Sequence, residues 1–303
     1  MLWFWIVIAS QFAQAVALFL DKFLLTKNFP KPAVLTFLTA AANLFGVLFV
    51  FWDFNFSASW QIIGLSILSG IAFTVALQFL YMGLKRGEAT HITPLVGAVV
   101  PVVSFFLSFL WFGEVLTQNQ TIAVVLLVFG ALLISFETTR KGSGVHIGYL
   151  WAILGGIFFA LSYVLARAVF IDDTFSTGFV WARLGGFIAA LPFLLSKSVR
   201  AGLLPKPKTK KQKQTAKTGL IVLVINKGLA AIYFVGMNFA ISLTSATLVN
   251  ALAGLQFALL FILVFASTKL IPKFFNEYFT RTEIIQQIIA LLFIIAGLGF
   301  MVI

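Results

Sequence analysis

Residues 76–137 read ALQFLYMGLKRGEATHITPLVGAVVPVVSFFLSFLWFGEVLTQNQTIAVVLLVFGALLISFE. Three apolar blocks are separated by a basic hinge, LKRGEAT, and a carboxamide-rich hinge, GEVLTQNQ. Each block is about as long as a helix rising roughly 1.5 Å per residue must be to cross some 30 Å of hydrocarbon. The stretch therefore reads as consecutive membrane spans.

Composition extends that reading to the whole chain. At 61% hydrophobic and 10% charged residues, a water-soluble domain of 303 residues would have nowhere to put its apolar surface. The spans are placed near residues 3–25, 33–52, 61–84, 91–112, 120–137, 148–170, 177–196, 219–243, 246–268 and 284–303. This predicts an all-α integral membrane protein with ten transmembrane helices. The absence of Cys removes thiolate and disulfide chemistry, and the two histidines, His91 and His146, have no partners at ligand spacing. No metal or cofactor is expected.

The same central stretch resembles the EamA-like transporters of the drug/metabolite transporter superfamily. The resemblance rests on Ala89, Pro101, Gly113-Glu114, Leu116-Thr117, Gln120 and Gly130 in that order. It implies a transporter for metabolites, amino acids or drug-like solutes, with both termini commonly cytoplasmic.

The net charge of +12 is placed for a membrane, not for nucleic acid. Seventeen of the 21 Lys and Arg lie in the connections after spans one, three, five, seven and nine, and the other connections carry none. Basic residues near span ends stay in the cytoplasm, so both termini are expected outside, against the family habit. The stretch 197–217, rich in Lys, Pro and Gln, is expected to be an unstructured linker against anionic headgroups. The first span has no basic n-region and reads as retained rather than cleaved.

Shifted by 145 residues, Ala15, Leu20 and Lys22 fall on Ala160, Leu165 and Arg167. Shifted by 157, Ala89-Thr90, Thr93, Leu95 and Gly97 fall on Ala246-Thr247, Asn250, Leu252 and Gly254. Two five-helix repeats, 1–141 and 142–303, follow, and five spans per copy is odd, so the second copy is inverted. Such repeats place a substrate site between them near the midplane. The match weakens where Pro101 meets Ala258 and where KLIPKFFNEYFTRTE replaces GEVLT, with Glu277 and Thr280 standing in for Glu114 and Thr117.

All nine carboxylates fall at or beyond the expected span ends, with no acid/base pair, phosphate loop or Ser/His/Asp set. A membrane enzyme is disfavoured, and with no interior carboxylate a facilitator or exchanger insensitive to the proton gradient is expected. Candidate substrate-binding residues are Gln11, Gln14, Gln78, Tyr81, Thr93, Arg183, Lys227, Asn238 and Asn250. Interhelical hydrogen bonding is the plainer role for each of the uncharged ones. Lys22 and Arg167 are expected to snorkel to the headgroups. Arg183 and Lys227 lie deeper, with no acid on their own helices, and point to a carboxylate or phosphate on the solute. The expected function is secondary transport of a small polar or anionic metabolite by a monomer or weak dimer in the cell membrane. Movement of a lipid-linked phosphate, or a non-transporting scaffold, are the alternatives.

The charge asymmetry generates a direct test. A reporter active only outside the cytoplasm is expected to be active when fused after Ile303 and silent within Lys206–Lys213. The opposite pattern would reverse the orientation.

Overall fold

The computed structural model describes residues 2–27, 29, 31–87, 89–135, 147–203, 210–270 and 281–302. Every regular element among them is helical: α1 (Leu2–Lys27), α2 (Pro32–Asn43), α3 (Trp60–Arg86), α4 (Ala89–Phe112), α5 (Gln118–Ser135), α6 (Ile147–Asp172), α7 (Phe175–Ala190), α8 (Lys197–Leu203), α9 (Lys210–Leu243), α10 (Ala246–Ala251), α11 (Gly254–Leu270) and α12 (Arg281–Val302). Two tight 3-10 stretches, Leu44–Phe51 and Leu191–Leu195, continue α2 and α7. Among the described residues, 9 helical stretches are long and apolar enough to cross a membrane, from Leu2–Thr26 to Ala246–Ser267. The tenth expected span falls on α12, whose apolar stretch, Ile284–Phe300, is shorter than those. Arg140, Lys141, His146, Lys206, Lys208, Lys273, Glu88, Glu137, Glu277 and Thr280 lie outside the described residues.

The central hinges have local causes. Gly113 ends α4 with φ of 64°, a left-handed conformation that costs a Cβ-bearing residue far more than glycine. Thr117 and Gln120 then form a reciprocal cap at the start of α5. The Thr117 N–H donates to Gln120 Oε1 at 3.0 Å, and the Gln120 N–H to Thr117 Oγ1 at 3.3 Å. Glu114 accepts a short hydrogen bond from Ser245 Oγ, and the same oxygen caps α10 by accepting from the Thr247 N–H at 3.0 Å. The sequence motif is thus a turn and two helix starts.

The described part of the basic stretch differs from the expected unstructured linker. Residues 197–203 form α8, and Lys210–Lys217 open α9, as Lys, Gln and Ala favour helix once anchored to a packed span.

The core lies around α3, which runs along α6 and α7, while α1 runs along α9, α4 along α6, and α5 along α12. Large apolar side chains such as Trp5, Phe45, Phe106 and Trp111 are exposed on the outside, as expected of a lipid-facing surface. Small residues let α3 and α7 touch backbone to backbone. A Cβ on Gly70 would stand 1.8 Å from the Ala182 carbonyl oxygen, and one on Gly185 would stand 2.4 Å from that of Ile67.

Lys22 and Arg167 do not snorkel outward. Lys22 Nζ donates to the Leu84 and Gly87 carbonyls at 2.8 and 2.5 Å, closing the C-terminus of α3. Arg167 Nη1 donates to the Ile241 and Ser242 carbonyls, both at 2.9 Å, closing that of α9. Terminal helix carbonyls have no partner within their own helix, and in lipid no water supplies one, so a nearby cation is held there instead of reaching solvent.

The close crossing gives the second test. Gly70→Leu is expected to lose about 1–3 kcal/mol or more of stability by overpacking, read as a lower melting temperature in detergent. Gly64→Leu, where an added Cβ meets nothing within 4 Å, is expected to melt like the parent. Equal melting of all three proteins would rule out the tight crossing.

Candidate functional site

Polar residues of α1, α2, α3, α4 and the α10–α11 segment converge on a central cavity of about 80 Å³. Gln14 and Asp21 come from α1, Thr39 and Asn43 from α2, Tyr81 from α3, Thr93 from α4, and Asn250 and Gln256 from the α10–α11 segment. Aromatic rings fill the intervening wall. Phe73 packs edge-on against Phe234 at 4.4 Å and Phe159 at 5.4 Å between centroids, and Tyr163, Tyr233 and Phe257 complete the lining.

Three of the cavity's helices are irregular at this level. The α-helical turn of α2 gives way to 3-10 geometry after Asn43. Pro94 sits inside α4 and removes one ladder hydrogen bond. The span begun by α10 breaks at Leu252 and Ala253, where three-residue hydrogen bonds such as Ala253 N–H to the Asn250 carbonyl, 3.1 Å, replace the regular ladder. Irregular backbone at membrane depth is tolerated where it is buried in protein or lines a cavity.

At one end of the cavity lies a buried polar junction. Lys227 Nζ is 3.2 Å from Asp21 Oδ1, with both side chains almost fully covered. The Tyr81 hydroxyl stands 3.4 Å from Asp21 Oδ2, 3.5 Å from Lys227 Nζ and 3.1 Å from Thr39 Oγ1. One turn away on the same two helices, Thr36 Oγ1 donates to Gln78 Oε1 at 2.8 Å. Two sequence readings are corrected here. Asp21 is an interior carboxylate, buried within α1 rather than lying at a span end, so the argument against proton-linked transport loses its premise. Lys227 is not an unpaired cation, because α9 packs along α1 and brings it to Asp21.

Of the nine expected site residues, Gln14, Tyr81, Thr93 and Asn250 line the cavity. Lys227 reaches its edge only through Asp21 and Tyr81. Gln11 is fully buried between α1 and α9, its amide nitrogen 3.6 Å from Met237 Sδ. Asn238 donates to the Phe234 carbonyl one turn back in its own helix, at 2.9 Å. Gln78 faces a separate cleft described below. Arg183 lies behind the wall, its guanidinium carbon 3.8, 4.8 and 5.5 Å from the ring centroids of Phe234, Phe179 and Phe73. The missed residues are Asp21, Thr39, Asn43 and Gln256. Gln14 and Gln256 each carry a buried side-chain oxygen with no hydrogen-bond partner among the described residues, so the cavity holds unmet polar demand.

Breaking a buried pair by removing one partner leaves the other charge uncompensated. Asp21→Asn and Lys227→Gln are each expected to destabilise the protein by about 3–5 kcal/mol. The double variant should recover a large part of that loss in detergent melts. Strict additivity of the two single losses would show that the residues do not interact.

Residues 1–136 match the model of the EamA-like transporter family, consistent with the drug/metabolite transporter superfamily. An uncharacterized protein of Methanocaldococcus jannaschii is 32% identical over 77 residues, covering 25% of this chain and 56% of that protein. The matched stretch thus spans only about half of that relative's length. A solved structure titled only as the crystal structure of a protein superposes with a TM-score of 0.63 at 15% identity, over 99% of this chain and 94% of that one. At that identity the likeness concerns the fold alone.

Proposed function

We propose that this multi-pass membrane protein, EamA-like over its first 136 residues, is a secondary transporter of small metabolites working by alternating access. In this reading it is a carrier, not an enzyme, built from two inverted five-helix repeats, 1–141 and 142–303. It resides in the cell membrane with both termini extracytoplasmic, as a monomer or weak dimer.

The observation that carries the reading is the pairing of the cavity wall under the two sequence shifts. With the 145-residue shift, Gln14 pairs with Phe159 and Leu18 with Tyr163. With the 157-residue shift, Phe73 pairs with Ala230, Leu77 with Phe234, Thr93 with Asn250, Val96 with Ala253 and Val100 with Phe257. Both members of every pair face the cavity. The caps agree: Lys22 closes α3 as Arg167, its counterpart, closes α9. A cavity lined by equivalent positions of two copies is what alternating access about a shared site requires, and a scaffold has no need of it.

Among amino-acid-like, organic-acid-like and sugar-phosphate-like solutes, the lining favours those rich in hydroxyl, amide or ammonium groups over simple anions. Asp21 is the one charged side chain on the wall among the described residues. The flippase alternative relied on Arg167 to hold a headgroup, and that side chain is committed to the α9 carbonyls.

Counterflow in proteoliposomes loaded with a panel of polar metabolites, run beside a fluorescent-lipid flip assay, tests the proposal. Uptake of at least one small solute is expected, falling roughly five- to thirtyfold in Asn250→Ala, since a buried hydrogen bond to solute is worth on the order of 1–2 kcal/mol. Lipid flip without solute uptake would replace carrier by flippase, and neither activity across the panel would favour the scaffold.

A further inference from the structure

A second concavity, of about 470 Å³, opens where the start of α2, the end of α3, the 3-10 turn after α7 and the start of α8 meet. Lys31, Lys85 and Arg86 stand on its lining, all exposed, and no carboxylate lines it among the described residues. Lys31 spends one of its three N–H donors on the Ser198 carbonyl at 3.0 Å, which fixes the ammonium at the cleft and leaves two donors to offer. The remaining wall is mostly apolar, Met82, Phe193 and Val199 among it, with Gln78, Ser196 and Ser198 as its polar members. The cleft lies at the ends of the spans Pro32–Phe51, Trp60–Arg86 and Phe175–Leu195, which is the level of lipid headgroups.

We propose that this cleft is a binding site for the phosphate headgroup of an anionic phospholipid, held by Lys31, Lys85 and Arg86 with its glycerol and upper acyl region against Met82, Phe193 and Val199. Cations on two different elements converge at headgroup height above an apolar floor, the arrangement by which basic pockets between membrane helices take anionic lipids. A freely soluble phosphate would use the cations but leave the floor uncovered. Gln78 ties the site to the bundle: it lines the cleft while accepting from Thr36, so the cleft adjoins the α2–α3 seam that separates it from the central cavity. The site stands independently of whether the protein transports.

The test uses the full-length protein in a neutral detergent, titrated with short-chain phosphatidylglycerol, short-chain phosphatidylcholine and inorganic phosphate, with binding and melting temperature as readouts. Phosphatidylglycerol is expected to bind roughly tenfold or more tighter than phosphatidylcholine and to raise the melting temperature. The variant Lys31→Gln/Lys85→Gln/Arg86→Gln should lose that preference. The charge-matched control Lys210→Gln/Lys211→Gln/Lys213→Gln, in the first turn of α9, should keep it. Should the triple variant fail to purify, Arg86→Gln alone should weaken phosphatidylglycerol binding about fivefold. An unchanged preference in the cleft variants, or equal loss in the control, would overturn the site. Binding of inorganic phosphate as tight as that of the lipid would reassign the cleft to a soluble anion and overturn the lipid proposal.

Discussion

A cation inside a hydrocarbon layer has to be met from within the chain, and that constraint organises this bundle. The four basic residues placed within the spans are met in three ways. Lys22 and Arg167 are held by carbonyls at the ends of other helices, Lys227 by the Asp21 carboxylate, and Arg183 by the faces of Phe234 and Phe179. Each solution joins elements that are distant in sequence: α1 to α3, α6 to α9, α9 to α1, and α7 to α9. Of these, α1, α3, α6 and α9 line the central cavity and α7 packs behind it, so the interior charges act as fasteners of its walls. Lys22, Arg167 and Lys227 donate to partners within the bundle, while Arg183, whose buried Nε has no hydrogen-bond partner among the described residues, stands behind the aromatic wall.

Much of this was legible in one dimension. Span positions follow from apolar runs, and the shifts of 145 and 157 residues already paired Lys22 with Arg167 and Thr93 with Asn250. What the sequence hides is pairing between helices. Lys227 lacks an acid within its own helix, and only the packing of α9 along α1 supplies Asp21. In sequence Asp21 falls at a span end, yet α1 continues to Lys27, and α9 and α3 bring Lys227 and Tyr81 against it. Asn238 shows the opposite failure. It occupies a polar stripe with Lys227, but its amide is satisfied by its own helix, a local bond that no spacing rule separates from an outward-facing one. Thr39 and Asn43 share a face of α2 with Thr36 at three- and four-residue spacing, but α2 carries no charged side chain to draw attention to that face.

The Gly113-Glu114 motif is structural in its role. Its glycine supplies the left-handed turn, its Thr117 and Gln120 cap α5, and its Glu114 takes the hydroxyl that caps α10. All of these lie at the far end of α4 from Ala89, away from the Asp21 junction. The motif therefore fixes how two pairs of spans reverse direction, while the polar residues that face the central cavity are spread thinly over five segments.

The interactions around the cavity are graded in cost. Separating the Asp21–Lys227 pair would strand two buried charges at several kcal/mol each, whereas the hydroxyl contacts Thr36–Gln78 and Thr39–Tyr81 are of the kind worth about 0.6 kcal/mol in a bilayer protein. The cheap contacts are the ones that tie α2 to α3. α2 also loses its α-helical ladder after Asn43, where it meets the cavity. It packs on α3 and α7 but touches α9 only slightly. A displacement of α2 would break these two hydrogen bonds and the packing of Leu35 and Phe37, but it would not touch the ion pair, either carbonyl cap or the Gly70–Ala182 crossing. The wall between the cavity and the basic face is thus joined to α3 by hydroxyl contacts and not by a charge.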